Sequence, residues 1–257
     1  MPGRQEGSRR PPSRSARIVF GGAQFYKTTL RTPPTSLPVM VDYAAIRLNM
    51  VESQLRPSKV TDEAVLAAFL AVPRERFVPA GLRGAAYIDD ALPLGGGRYL
   101  MPPMVLARLL QLARIGPDDT VLEIGCATGY ATAVLARLAR SVVAVEGDRA
   151  LAAQATARLR ELGLGNAAVV EALPTQGFPG RAPYAAIVFA GAIVRVPDGI
   201  AGQLAEGGSM VAVVQQESGL GQGMVMTRAG GVLSRRASFD AAVPLLPGFH
   251  AEPSFVF

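Results

Sequence analysis

The sequence predicts an α/β fold: a mostly parallel sheet with helices on both faces, an antiparallel hairpin at its edge and an N-terminal helical extension. Short apolar strands alternate with helical segments over residues 120–214, which is typical of a parallel sheet buried on both faces. Two further strand-like segments flank the pair Gly230-Gly231, which indicates a hairpin. Capped helical segments come before the first strand, so we expect a helical extension ahead of the sheet.

Each predicted element has a local signal. Capping residues or prolines begin two early helices, one from Thr61 to the residue before Val72-Pro73 and one from Pro102 to about Gly116. Apolar strands are predicted at residues 120–124, 141–145, 168–170, 187–189 and 210–214. Helical spacing follows at 130–138 and 148–162, and a further helix is predicted to end at Gln203-Leu204, before Gly207-Gly208. The hairpin strands are expected at 223–227 and 232–239.

The composition indicates one globular domain that follows a basic tail. Of the 257 residues, 49% are hydrophobic and 18% are charged, which excludes a disordered or collagen-like chain. The net charge of +6 comes from residues 1–40, which hold seven basic side chains and only Glu6. Subtracting these leaves 19 basic and 19 acidic residues, so we predict no nucleic-acid partner. No apolar run approaches the roughly 20 residues of a membrane helix, so no membrane partner is predicted.

Residues 1–40 are predicted to be a disordered basic tail, because their Arg, Ser, Pro and Gly side chains offer little apolar surface to bury. Two alternatives stay open. The segment is basic and nearly free of acidic residues, as a targeting segment is. It is also explained by an upstream start, with Met40 opening the functional chain.

The chain has one cysteine, Cys126, and one histidine, His250. It therefore cannot form an internal disulfide or hold a structural zinc through Cys and His, and no metal site is predicted. The position of His250 in a Pro/Gly-rich stretch argues against a serine-hydrolase triad. With no secretion signal and one unpaired cysteine, the expected location is the cytoplasm.

A strand, a glycine-containing loop and a helix follow one another at residues 121–130. Gly125 and Gly129 let the backbone approach a ligand, and the helix N-terminus offers unpaired N–H groups to its polar part. Glu146 ends the next strand, 21 residues after Gly125, where an acidic side chain suits the two hydroxyls of a ribose. The loop lacks the third glycine of G-x-G-x-x-G, which favours S-adenosylmethionine over a nicotinamide dinucleotide. Cys126 is interpreted as a small residue lining this loop, because no base lies near it.

A second motif is the run Val72-Pro73-Arg74-Glu75-Arg76-Phe77-Val78-Pro79. Further motifs lie at residues 50–55, 86–90, 92–95, 121–125, 129–130, 181–184, 203–208 and 243–245. Together they resemble the protein-L-isoaspartate O-methyltransferase family over most of residues 42–249. The resemblance implies a Rossmann-like doubly wound domain at 117–257 that binds S-adenosylmethionine. It also implies that residues 41–116 form the helical extension and a substrate loop.

The resemblance further implies the reaction and its partners. The family transfers a methyl group from S-adenosylmethionine to the α-carboxyl group of an isoaspartyl residue in a damaged protein or peptide. Because a carboxylate is already ionised at neutral pH, the reaction needs alignment rather than a strong base. The implied cofactor-binding residues are Glu123, Gly125, Cys126, Ala127, Thr128, Gly129, Tyr130, Glu146, Gly147 and Leu173. The implied substrate-binding residues are Arg98, Tyr99, Leu100, Met101 and Pro103. The sequence leaves the oligomeric state open.

The substrate loop departs from the family pattern. Where the family reads Gly-Gln-Thr-Ile-Ser-x-Pro, residues 97–103 read Gly-Arg-Tyr-Leu-Met-Pro-Pro, so Met101 replaces a serine and no catalytic residue is assigned. A methionine side chain forms no strong hydrogen bond, but Arg98 and Tyr99 could compensate, since arginine pairs well with a carboxylate.

The cofactor side departs as well, because Ala172-Leu173-Pro174 replaces a Gly-Asp-Gly motif. Leu173 can pack on an adenine ring but cannot hydrogen-bond its amino group. Together with Met101, this leaves two alternatives open: a diverged methyltransferase for another acceptor, and a non-catalytic protein that binds S-adenosylmethionine or another partner.

Overall fold

Helices and strands alternate along the chain in a computed structural model that describes residues 41–216 and 220–250. The α-helices are α1 (Tyr43–Met50), α2 (Glu63–Ala71), α3 (Pro103–Ala113), α4 (Tyr130–Leu135), α5 (Arg149–Glu161) and α6 (Asp198–Ala201). The strands are β1 (Leu92–Gly95), β2 (Arg98–Leu100), β3 (Thr120–Ile124), β4 (Ser141–Glu146), β5 (Ala167–Glu171), β6 (Tyr184–Ile193), β7 (Leu204–Gln215), β8 (Gly221–Ala229) and β9 (Val232–Asp240). The predicted tail, residues 1–40, lies outside the described residues.

Seven strands form one sheet in the order β5-β4-β3-β6-β7-β8-β9. The pairs from β5 through β7 are parallel, whereas β8 and β9 run antiparallel to their neighbours. The strand order reverses between β3 and β6, and open α/β sheets bind ligands outside the carboxyl ends of the strands at such a point. The predicted fold class is thereby confirmed, with its doubly wound sheet, edge hairpin and N-terminal helical extension.

The two faces of β6 show how the core is divided. Ala186 and Val188 belong to the larger apolar cluster, which also contains Phe69 of the extension. Ile187 and Phe189, which point to the other face of the strand, belong to a second cluster. The helical extension therefore shares a core with one face of the sheet. The boundary near residue 116 stays a prediction.

Local sequence explains where several elements begin and turn. Asp42, Asp62 and Asp148 cap α1, α2 and α5, since each carboxylate accepts from two backbone N–H groups of the first turn. Gly230 and Gly231 join β8 to β9 with φ of +60° and +76°. A two-residue turn with both φ values positive matches the twist of a hairpin, so the predicted hairpin forms where the sequence placed it.

Three predictions of local structure were wrong. No helix ends at Gln203-Leu204: α6 ends at Ala201, and Leu204 begins β7, whose pairing with β6 slips between Tyr184↔Leu204 and Ala186↔Ser209. Because the pairing is irregular here, the residues at the start of β7 do not show the regular apolar pattern that predicts a strand. The helix expected over 130–138 ends at Leu135 and continues only as a turn. The helix expected to reach Gly116 ends at Ala113, because Arg114 adopts a left-handed conformation with φ of +52°.

Candidate active site

The loop after β3 lies at the carboxyl ends of the parallel strands, beside the reversal of strand order. The N–H groups of Gly125 and Cys126 both donate to the carbonyl oxygen of Val145, at 2.8 and 3.2 Å, which holds the loop against β4. Gly125 has φ of +78°, and a Cβ there would lie 2.8 Å from Nη2 of Arg98 and 2.9 Å from Cδ2 of Leu246. The loop therefore requires glycine at this position, and the side chains of Arg98 and Leu246 lie directly on it.

Glu146, at the end of β4, is 1% exposed, and its carboxylate accepts four hydrogen bonds. Oε1 accepts from the N–H groups of Gly147 and Asp148, at 2.9 and 3.1 Å, and from Nη1 of Arg98 at 2.8 Å. Oε2 accepts from the N–H of Ala127 at 2.6 Å. Each carboxylate oxygen has about two acceptor positions, so Oε1 is fully engaged and Oε2 keeps one position.

Arg98, which is predicted to bind the substrate, contacts Glu146, the carboxylate that is predicted to bind the cofactor. It is the first residue of β2 and is 5% exposed. Besides its ion pair with Glu146, it donates from Nη2 to the carbonyl oxygen of Gly125 at 2.6 Å. A single side chain therefore joins the substrate strand to both the glycine loop and the acidic residue at the end of β4.

Two predicted cofactor-binding residues anchor the extension through their side chains. Thr128 donates from Oγ1 to the carbonyl oxygen of Phe77 at 2.6 Å. Tyr130 is fully buried, and its ring meets those of Phe69 and Phe77 edge to face, at 6.1 and 5.5 Å between centroids. Gly129, between them, has its N–H bonded to the carbonyl oxygen of Cys126 at 2.8 Å. These contacts fix the start of α4 against the motif that contains Phe77.

Glu123, in β3, is a fully buried carboxylic acid behind the glycine loop. Its Oε2 accepts a hydrogen bond from Oγ1 of Thr132 at 2.6 Å, and its Oε1 has no hydrogen-bond partner among the described residues. Burial raises the pKa of Glu123 to about 7, an effect that the Thr132 hydroxyl partly offsets. The predicted role of Glu123 in binding a cofactor stays a prediction.

Cys126 is buried in a small cluster with Ala144 and Ala155, beneath α5. Burial raises the pKa of its thiol well above the ordinary value, and the nearby carboxylates of Glu123 and Glu146 act in the same direction. A thiol held in its protonated form is a poor nucleophile. The interpretation of Cys126 as a lining residue is compatible with this environment.

The predicted substrate residues form a continuous segment from β2 into α3. Tyr99 is 38% exposed, whereas Leu100, Met101 and Pro103 are buried. The buried side chain of Arg74 holds the backbone of this segment, because its Nη2 donates to the carbonyl oxygen of Met101 at 2.7 Å. Met101, which the resemblance aligns with the family's serine, lines a cavity of about 20 Å³ that also borders Gly125 and Ala127.

The remaining predicted cofactor residues lie at the edge of the sheet beyond Glu146. Gly147 follows it directly, and a Cβ there would lie 3.1 Å from Cδ of Pro174. Leu173, the neighbour of Pro174, follows β5 and is 60% exposed. The structure therefore brings Gly125, Glu146 and the Leu173 segment to the same edge of the sheet.

Sequence reasoning missed three residues of the site. Arg74 was recognised only as part of a motif, yet it is fully buried, donates to the carbonyl oxygens of Ala86 and Met101, and stacks over the Tyr130 ring at 4.8 Å. Leu246 and Thr132 gave no signal of their own, although Leu246 directly follows the motif at 243–245. Their roles depend on tertiary contacts that spacing along the chain does not reveal.

The residues at this edge fit S-adenosylmethionine. A carboxylate ends the second strand of the sheet, and the glycine loop after the first strand offers backbone that a ligand can approach closely. The departure is Arg98, which holds an acceptor position that a ribose would use. A doubly wound sheet with a carboxylate at its switch point, and a loop without the third glycine of a dinucleotide fingerprint, is the arrangement of an S-adenosylmethionine-dependent methyltransferase.

Within that class, the chain belongs to the protein-L-isoaspartate O-methyltransferase family. The family model described as protein-L-isoaspartate(D-aspartate) O-methyltransferase matches residues 47–240. A protein-L-isoaspartate O-methyltransferase of Pectobacterium atrosepticum is 37% identical over 202 residues, which cover 79% of this chain and 97% of the relative. One from Herpetosiphon aurantiacus is 42% identical over 168 residues, or 65% of this chain and 75% of the relative. The two alternative functions are not favoured by these comparisons.

Solved structures agree with this assignment. A protein-L-isoaspartate O-methyltransferase superposes with a TM-score of 0.69 at 26% identity, over 79% of this chain and 66% of that one. A structure from Plasmodium falciparum in complex with S-adenosyl-L-homocysteine has a TM-score of 0.65 at 17% identity, over 77% of this chain and 96% of that one, which shows the shared fold. Within residues 41–216 and 220–250, no helix is both long enough and apolar enough to span a bilayer.

Proposed function

We propose that this chain methylates the α-carboxylate of isoaspartyl residues in damaged proteins and peptides. The observation that carries the proposal is the cavity shared by the substrate strand and the cofactor loop. Its lining includes Tyr99 and Met101 of the substrate segment and Gly125 and Ala127 of the cofactor loop. Methyl transfer requires donor and acceptor to be held in contact and in line, so the two predicted sets of residues have to meet. Membership of the family supports the same acceptor.

The residues that would hold the cofactor follow from their chemistry. The carboxylate of Glu146 would accept hydrogen bonds from the ribose hydroxyls, and the backbone at Gly125 would approach the methionine portion. Leu173, exposed at the edge of the sheet, offers apolar surface to the adenine. When bound, S-adenosylmethionine supplies an electrophilic methyl group, so the side chains of the site need only bind and orient the two reactants.

A carboxylate acceptor suits a site without a free base. Its oxygen is nucleophilic in the form present at neutral pH, so no proton has to be removed. The titratable side chains at the loop do not offer a base: Glu146 accepts four hydrogen bonds, burial keeps the Cys126 thiol protonated, and Glu123 is bonded to Thr132 behind the loop. His250 is exposed. An alcohol or amine acceptor would require such a base, and this difference favours the carboxylate.

A groove beside Tyr99 is suited to the polypeptide that carries the modified residue. It has a volume of about 430 Å³ and opens next to the small cavity at Met101. Its lining includes Asp90, Tyr99, Ala192, Val243 and Pro244. A peptide in this groove would present one side chain toward Tyr99 and Met101 while the rest of its chain stays accessible to solvent.

The test is transfer of a labelled methyl group from S-adenosylmethionine to an isoaspartyl peptide, with the matching aspartyl peptide as control. Wild type, Met101→Ser and the matched variant Met224→Ser, altered in β8, are assayed side by side. Wild-type turnover selective for the isoaspartyl peptide is expected. Met101→Ser restores a hydroxyl beside the reactants, and we expect it to raise kcat by about tenfold or more, since one such donor is worth roughly 10²–10³ where it is optimally placed.

Turnover by Met101→Ser alone would mean that the wild-type chain acts on another acceptor. If neither wild type nor either variant methylates the isoaspartyl peptide while S-adenosylhomocysteine binding is intact, the isoaspartyl assignment is overturned. The substrate partner proposed here is a protein or peptide, without nucleic acid or membrane. A cytoplasmic location stays a prediction from the sequence.

A further inference from the structure

The ion pair between Arg98 and Glu146 is the least expected contact of the site. Both side chains are almost completely buried, at 5% and 1% exposure of their side chains, and Nη1 lies 2.8 Å from Oε1. The second terminal nitrogen, Nη2, is bonded to the Gly125 carbonyl oxygen. The guanidinium therefore bridges the two features that are expected to receive the cofactor, the acidic end of β4 and the glycine loop.

Oε1 of Glu146 has no acceptor position left while this bridge is in place, and Oε2 keeps only one, so the carboxylate cannot accept from both hydroxyls of a ribose. Two of its four bonds come from Gly147 and Asp148, the residues that follow it directly, and these donors are fixed by the turn after β4. A third comes from the backbone of Ala127, within the loop itself. The donor from Arg98 is the one at the end of a long, rotatable side chain, so it is the bond that a ribose hydroxyl can replace.

The surrounding space leads to the same conclusion. The cavity beside Gly125 and Ala127 measures about 20 Å³, room for about one water molecule. Arg98 and Leu246 fill the space over Gly125, where even a Cβ would lie within 3 Å of each. A ligand of the size of S-adenosylmethionine can enter only if these side chains withdraw.

A displaced Arg98 requires another anion. Arginine stays protonated at any physiological pH, and leaving it unpaired in a buried site is costly. Arg98 and the exposed Tyr99 are consecutive in β2, beside the groove proposed for the peptide. The side chain of Met101 cannot bind a carboxylate, so the freed guanidinium is the group of this segment that suits the negatively charged acceptor.

Resting on the proposed function, we propose that Arg98 is a specificity-determining residue with two positions. Before the cofactor binds, its guanidinium is held on Glu146 and closes the site. When the ribose hydroxyls take Glu146, the guanidinium is released and pairs with the α-carboxylate of the acceptor. Cofactor binding therefore creates the anion site for the substrate, and the two ligands bind with positive cooperativity.

Calorimetry with S-adenosylhomocysteine in the absence of peptide tests the first position. Arg98→Gln keeps a neutral donor but removes the ionic bond that the ligand has to displace. We expect it to bind S-adenosylhomocysteine about tenfold tighter than wild type, because a hydrogen bond between charged groups contributes on the order of a factor of ten. Arg98→Lys keeps the positive charge but loses the planar, two-pronged guanidinium, so its affinity for S-adenosylhomocysteine should lie between those of wild type and Arg98→Gln. The matched control is Arg149→Gln, which removes an exposed positive charge three residues after Glu146.

The second position is tested with an isoaspartyl peptide titrated into free and S-adenosylhomocysteine-saturated protein. Wild type should bind the peptide about tenfold tighter when saturated, and Arg98→Gln should lose this dependence. Equal or weaker S-adenosylhomocysteine binding by Arg98→Gln, or an unchanged dependence of peptide binding, would overturn the proposal. Failure of the isoaspartyl assay together with tighter S-adenosylhomocysteine binding by Arg98→Gln would overturn the acceptor and leave the closed position supported. If no variant binds S-adenosylhomocysteine, both the proposed function and this proposal fall.

Discussion

The buried acid Glu123 should make the stability of the protein depend on pH in a way that Glu123→Gln removes. Its carboxylate is fully buried, with one oxygen bonded to Thr132 and the other without a partner among the described residues. Burial raises its pKa from 4.5 to about 7. The folded state therefore binds more protons than the unfolded state between about pH 4.5 and pH 7, and the free energy of unfolding falls as pH rises through that window.

The size of the effect follows from the pKa. A change from 4.5 to about 7 corresponds to about 3 kcal/mol, at 1.36 kcal/mol for each pH unit. This stabilisation is fully present below pH 4.5 and has been lost above pH 7, where the folded protein holds a buried charge with one hydrogen-bond donor, Thr132. Glutamine has nearly the same shape and never ionises, so it avoids the penalty at high pH.

Urea unfolding of the ligand-free protein at pH 5, 6, 7 and 8 measures this difference. We expect the free energy of unfolding of Glu123→Gln, relative to that of wild type, to rise by about 2–3 kcal/mol between pH 5 and pH 8. The control Glu171→Gln, at the exposed end of β5, should differ from wild type by about 0.5 kcal/mol or less throughout. A constant offset between Glu123→Gln and wild type at every pH would refute the reasoning, since it would mean that Glu123 ionises in the folded protein as it does in the unfolded chain.

Two further substitutions test the packing of the site. Arg74→Met removes a buried cation and leaves the carbonyl oxygens of Ala86 and Met101 without their donor, so the free energy of unfolding should fall by about 2–4 kcal/mol in urea titrations; an unchanged midpoint would show that the two carbonyl groups find other donors. Leu246→Ala removes a buried side chain that packs on Gly125 and should cost about 2–4 kcal/mol by the same method, with a loss below about 1 kcal/mol indicating that the segment simply closes over the gap.

The parts of the site that the sequence predicted correctly are those set by strand topology. Glu146 could be placed beside Gly125 because the carboxyl ends of neighbouring parallel strands lie at one edge of a sheet. The fold class followed from the same alternation of strands and helices. Where the sheet is irregular, as at Leu204, the periodic signal was lost and the strand was mistaken for the end of a helix.

The contacts that the sequence could not predict are made by long side chains reaching between elements. The partner of Arg98 depends on the orientation of the β1–β2 pair, two strands of four and three residues that gave no strand signal. Tyr130 was placed in the cofactor loop by its position, but its ring turns toward Phe77, a residue far away in sequence. Such orientations are decided by the shape of the assembled core, which spacing along the chain does not encode.

The interlocking of Phe77 with Tyr130 has a consequence for how the protein folds. The ring of Phe77 comes from the extension and that of Tyr130 from the first helix of the sheet domain, and the two fully buried rings meet edge to face with 5.5 Å between centroids. The extension therefore has little independent stability, and its detachment would remove the contacts of Phe77 with Thr128 and Tyr130 that hold the end of the glycine loop. Folding of the two segments should be a single cooperative event, so protease resistance within the extension reports directly on the integrity of the cofactor loop.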